Sequence, residues 1–188
     1  MMAKLQDQAN ACGFGTDVEI LSFLDNKKRS IGYKRDGLVQ LAQGAFLAFV
    51  DDDDIPYDNY VKDMVAGVMG AGESADVVVF TEDSQINGGN VFKVKFGLEY
   101  PNQEARQVNG KWIDITRKPF HSCAWRTTVA QSERFADTSY GEDWDWVRRL
   151  LPKARGQYRL STTLLRYVYD DRVTEADTKN PILGGCTE

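Results

Sequence analysis

The sequence predicts an α/β domain: a mixed, mainly parallel central sheet flanked by helices, with a small antiparallel hairpin region. Three observations carry this. Short apolar runs without polar alternation ("VEILSFL", "AFLAFV" and "ADVVVF") read as strands buried on both faces. Stretches with helical spacing separate these runs. Farther along, Gly- and Asn-Gly turns sit beside short alternating runs, the pattern of antiparallel hairpins.

Taken in order, residues 2–11 form a short helix stopped by Gly13 and Gly15. Val18–Leu24 is the first strand, and a charged loop from Asp25 to Ser30 follows it. Ile31, Leu38, Leu41 and Ala42 mark one face of a helix, with Gly44 in the capping position beyond its end. Ala45–Val50 is the second strand. Tyr57 to Met69 is helical in pattern, closed by Gly70 and Gly72, and Ala75–Phe80 is the third strand. "NGGNVFKVKFG" and "VNGKWIDIT" are the hairpin segments. Helices follow near Arg126–Ser132 and from Glu142 to Leu151, where Pro152 ends the second, and "GQYRLSTTLLRYVYDDR" supplies a late strand. One domain over 1–175 is expected, with a nucleotide-binding half at about 1–83 and an acceptor-side half at 84–175. Residues 176–188 read as a loose polar tail.

With 188 residues and 42% hydrophobic content, the chain can bury a sizeable core. Its net charge of −5 argues against a sequence-independent nucleic-acid binder, which needs a basic face. Lys27, Lys28, Arg29, Lys34 and Arg35 nonetheless cluster, and read either as a solvated loop or as a receiver of phosphate. Cys12, Cys123 and Cys186 have no metal-ligand spacing, so neither a disulfide framework nor a zinc site is indicated. No apolar run is long enough to span a membrane, and no signal peptide is evident. A cytoplasmic protein is expected.

The chemistry concentrates at two acidic stretches. The second strand runs into four consecutive aspartates, Asp51 to Asp54. Two exposed like charges about 4 Å apart repel by roughly 1 kcal/mol in water, and by more where solvent is scarce. One or two aspartates would serve to cap a helix near Pro56; four exceed that need. Asp51 and Asp53 have the Asp-x-Asp spacing that lets two carboxylates address one hard cation, Mg²⁺ or Mn²⁺, with phosphates and water completing the octahedron. The first strand also ends in acid, at Asp25. In open parallel sheets, ligands gather outside the carboxyl ends of the strands. The second stretch is "GEDWDWVRRL", where Glu142 and Asp143 open an amphipathic helix and one of them is available as a general base.

These residues carry a resemblance. "LDNKKRSIGYKRDGLVQLAQGAFLAFVDDDD" resembles the donor-binding half of family-two glycosyltransferases with the GT-A fold, and "GEDWDWVRRL" resembles their later Glu-Asp motif. The order and spacing agree across about Val18–Leu151. The resemblance implies a metal-dependent, hexosyltransferase-type enzyme. It would move a sugar from a nucleoside-diphosphate sugar, a UDP-sugar above all, to the hydroxyl of an unidentified acceptor, with inversion. Carried over by position, Asp25 would contact the nucleotide base and Arg35 would help hold the nucleotide. Asp53 would bind the metal, with Asp51 and Asp52 near ribose or diphosphate and Asp51 sharing the cation. Asp143, or else Glu142, would deprotonate the acceptor. His121, the only histidine, reads either as a packed residue or as a contact to metal or phosphate. Of Trp125, Trp144 and Trp146, at most one is expected to face a sugar, and Trp112 could belong to a flap.

Two features depart from the family pattern. The usual first strand is absent, which invites pairing between chains and a homodimer. Asp36 stands where Asn is common. Two other readings stay open: a nucleotide-sugar or glycan-binding module without turnover, and an unrelated Mg²⁺-dependent phosphotransfer enzyme. No phosphate-cradling P-loop supports the latter.

Overall fold

The computed structural model describes residues 1–170. The expected tail at 176–188 and Cys186 lie outside them. The elements run α1 (Met2–Ala11), α2 (Ile31–Leu41), β1 (Phe46–Leu47), β2 (Ile55–Pro56), α3 (Tyr60–Ala71), β3 (Val77–Ile86), β4 (Phe92–Phe96), β5 (Gln103–Val108), β6 (Lys111–Arg117), β7 (Ala124–Arg126), α4 (Thr127–Ala130), α5 (Glu142–Leu150) and β8 (Gln157–Tyr169). A short 3₁₀ turn over Leu151–Lys153 contains Pro152 and ends α5.

The mixed α/β class expected from the sequence is the one observed. β3 is the hub of the sheet, parallel to β8 along most of its length and antiparallel to β4 and β7. β4–β6 is the other parallel ladder, whereas β1–β7, β2–β8 and β5–β6 are antiparallel. The pairing is therefore weighted more toward antiparallel than the apolar runs suggested.

Two of those runs explain the difference. Val18–Leu24 makes no ladder and is not the doubly buried strand expected; it has no regular secondary structure, with Leu21 40% and Leu24 90% exposed. Of Ala45–Val50, only Phe46–Leu47 joins the sheet, at its edge. An apolar run is covered only if neighbours flank it, and these two have few. The third run behaves as read. Along β3, Val77 and Val79 enter one core while Val78 and Phe80 enter the other, as the two-residue period of a strand requires. The first core packs α5 and α2 against the sheet through Trp125, Trp146, Val147 and Val39. The second packs α1 and α3 through Ala9, Val61 and Met64. Each fully buried aliphatic side chain contributes roughly 1.5–3 kcal/mol.

Both hairpin turns place Asn-Gly pairs at positive φ, Asn87-Gly88 at 48° and 67° and Asn109-Gly110 at 50° and 72°. That is the signature of a two-residue primed turn. Gly44 is not the cap of α2: the helix ends at Ala42, whose backbone turns extended. α3 starts at Tyr60, later than expected, because Ile55–Pro56 first pairs with β8.

Candidate active site

The site lies where the β1 segment runs out into the aspartates, and three distant pieces of chain are brought to it. α2 delivers Arg35. Its first turn is capped by Ser30, whose Oγ accepts from the Tyr33 amide at 3.0 Å. The helix start is pinned to the segment before α5: the Gly32 amide donates to the Thr138 carbonyl at 2.9 Å, and Ser30 Oγ donates to Asp137 at 2.5 Å. A Cβ on Gly32 would lie 1.9 Å from the Ala136 carbonyl oxygen, so only glycine permits this approach. Asp36, the departure from the family pattern, has a structural partner here. Arg134 donates to it in a fork at 2.5–3.0 Å, and the Phe135 amide donates to the same carboxylate at 3.1 Å.

This docking sets Arg35 among the acids. Arg35 is buried, 9% exposed. Nη2 donates to both oxygens of Asp51, at 2.7 and 2.8 Å, and Nη1 donates to Glu142 Oε1 at 2.6 Å. Asp143 Oδ2 lies 3.9 Å from Nη1. His121, 7% exposed, places Nε2 3.2 Å from Asp51 and 3.4 Å from Arg35. Its Nδ1 is 3.6 Å from Asp143 Oδ2 and has no hydrogen-bond partner. Phe49, two residues before Asp51, packs against His121 and lies under the Arg35 guanidinium at 5.7 Å. The sequence reading did not single it out, although that two-residue spacing was the available signal.

The electrostatics follow from these contacts. Burial alone would raise the Asp51 carboxyl, but the His121 ring and Arg35 overcome it and hold the group well below the usual carboxylate range. Burial likewise opposes the Arg35 charge, and Asp51, Asp143 and Glu142 outweigh it. Burial, then Asp143 beside it, pushes Glu142 up. Asp53, exposed at the tip of the run, is raised by its partial desolvation and by Asp51 and Asp52. Asp54 is of a different kind. It is 6% exposed, its Oδ1 has no partner, and burial with Glu82, Asp51 and Asp53 nearby pushes it up to about 9. It does not cap α3, whose N-cap is Asn59.

Arg35, Asp51, His121, Glu142 and Asp143 are thus brought together. Asp52 and Asp53 stand at the exposed rim beside them. Asp25 sits just ahead of α2, where its carboxylate accepts from the Arg29 amide at 2.9 Å and lies 3.7 Å from Lys34 Nζ. Of the basic cluster, Arg29 lies over the Phe23 and Tyr33 rings. Trp125 and Trp146 are fully buried, leaving Trp144 as the partly buried tryptophan of the expected three. Trp112 packs on Phe92 in the β5–β6 region.

Among the described residues, no three His, Cys, Asp or Glu side chains are arranged as a metal cage. With Asp51 engaged by Arg35, Asp53 is the carboxylate of the pair that remains open. Such a donor set suits a hard cation carried mostly by phosphate oxygens and water, since Mg²⁺ commonly takes only one or two protein carboxylates.

Comparison with solved structures places this arrangement in a known fold. S. aureus TarS superposes with a TM-score of 0.54 at 19% identity, covering 77% of this chain and 25% of that one. TarS 1-349 in complex with UDP gives 0.53 at 18%, covering 74% and 40%. TarS 1-349 in complex with UDP-GlcNAc gives 0.55 at 16%, covering 87% and 45%. The chain shares its fold with these structures. The chain spans less than half the length of these solved chains. No protein-family profile and no curated protein matches the sequence.

Proposed function

We propose that this chain carries the donor site and catalytic base of a glycosyltransferase that moves a sugar from a UDP-sugar to an acceptor hydroxyl, with inversion. One observation carries the reading. Arg35 gathers Asp51, from the end of one strand segment, and the Glu142–Asp143 pair, from the start of α5, at a single point. The shared fold with TarS, solved with UDP and with UDP-GlcNAc, supports the choice of donor.

The residues divide the work by exposure. Glu142, 4% exposed and bonded through Oε1 to Arg35, holds the guanidinium in place. Asp143 is the better base, because its side chain is 25% exposed and Oδ2 faces no direct hydrogen-bond donor closer than His121 Nδ1 at 3.6 Å. It takes the acceptor proton as the acceptor oxygen forms its bond to the anomeric carbon. The bond from that carbon to the diphosphate breaks on the opposite face. Asp53 would hold Mn²⁺ or Mg²⁺, which would supply Lewis-acid neutralisation of charge on the departing diphosphate.

The test is turnover of UDP-GlcNAc and other UDP-sugars over a panel of hydroxyl acceptors, following transferred sugar separately from free phosphate. Asp143→Asn should keep UDP affinity and lower transfer by about 10²–10⁴-fold, the usual range for a general base. Phosphate release without sugar transfer would overturn the reading in favour of phosphotransfer or hydrolysis.

A further inference from the structure

We infer that Arg35 is the resident counter-ion of this acidic centre and that it withholds Asp51 from divalent metal, so that a cation is taken up only together with a diphosphate. The inference rests on the reading above for the diphosphate alone; the part concerning Arg35, Asp51 and the cation stands on geometry. Asp51, Asp53, Glu142 and Asp143 would together repel strongly in a partly desolvated place. Arg35 answers Asp51 and Glu142 directly and lies 3.9 Å from Asp143. One nitrogen holds both oxygens of Asp51, and His121 Nε2 approaches the same carboxylate at 3.2 Å. A metal ion at Asp51 would have to displace a part-buried, charge-assisted hydrogen-bonded pair. The aromatic ring of Phe49 under the guanidinium holds that pair further from water. Asp53 is left as the protein's open carboxylate, too little alone to strip a hard cation of its water. A diphosphate supplies the missing oxygens without disturbing Arg35. On this account Asp51 positions Arg35, and through it the Glu142–Asp143 pair, instead of sharing the cation as the resemblance implied.

The experiment is titration of Mn²⁺, without nucleotide, into the full chain and into Arg35→Gln, Asp51→Asn and the double variant, with free Mn²⁺ read by its paramagnetic resonance signal. Arg35→Gln should bind Mn²⁺ about tenfold or more tightly than the unaltered chain, because it removes a cation and frees a carboxylate. Asp51→Asn should abolish that gain in the Arg35→Gln background, and have a much smaller effect where Arg35 is present. Equal effects of Asp51→Asn in both backgrounds, or no gain in Arg35→Gln, would overturn the inference. A second measurement needs no variant that must fold. The Arg35 side-chain nitrogen resonances should persist unshifted when Mg²⁺ alone is added; their loss or shift would show that the cation takes Asp51. Neither readout depends on sugar transfer, so failure of the proposed activity and failure of this inference are separable.

Discussion

Asp54 ends the four-aspartate run with an environment unlike that of its neighbours. Its ordinary value is 3.8, and burial beside other carboxylates pushes it up to about 9, while Glu82, buried on β3, is pushed up to about 7. Between their ordinary and raised values both groups bind more protons in the folded chain than in the unfolded one, so their contribution is complete at acid pH and is lost as pH rises through the folded values. Without divalent metal, the melting temperature should fall as pH rises from about 5 to about 9, and Asp54→Asn should flatten that fall. An equally steep fall in Asp54→Asn would mean that Asp54 is ionised throughout. Single residues were unevenly legible in the sequence. The excess of acid after Val50 was visible, and so was the candidacy of Arg35 and Asp143. That one aspartate of four is buried, with its carboxyl pushed up, was not, because the burial of Asp54 is set by its packing in the folded chain. His121 was open between packing and function, and only its distances to Asp51 and Asp143 bring it to the site.

At the scale of elements, the site depends on α2 and the start of α5 keeping one register. Gly32 is the tightest point of that contact. Gly32→Ala would drive a Cβ into the Ala136 carbonyl, cost about 1–3 kcal/mol or more, and shift Arg35 relative to Glu142. Thermal unfolding and UDP affinity should both suffer; an unchanged melting temperature would show that the two elements are not in close contact. The partner of Asp36 is Arg134, 98 positions away, so a local reading could register only an unusual residue. Elements set by local rules were the most readable. The Asn87-Gly88 and Asn109-Gly110 turns need positive φ whatever surrounds them. Val18–Leu24 shows the converse, since hydrophobic character makes a strand only when another strand lies beside it. β2 was missed because two residues containing a proline carry almost no strand signal.

Across the whole molecule, the two cores on either face of β3 hold a fold shared with TarS, while the candidate site lies where the β1 segment runs out into the aspartates. With a net charge of −5 and the Asp51–Asp54 run set beside Glu142 and Asp143, the anionic nucleotide of the proposed donor would have to bring or meet positive charge. Arg35 is already committed to the acids, which makes a divalent cation the expected companion of the proposed donor. The most direct test is calorimetric titration of UDP into the chain with Mn²⁺ and then with EDTA, beside GDP and CDP. Binding that requires Mn²⁺ and is strongest for UDP is the predicted result. UDP affinity unchanged by EDTA, or no binding of any of the three nucleotides, would contradict the account of this site.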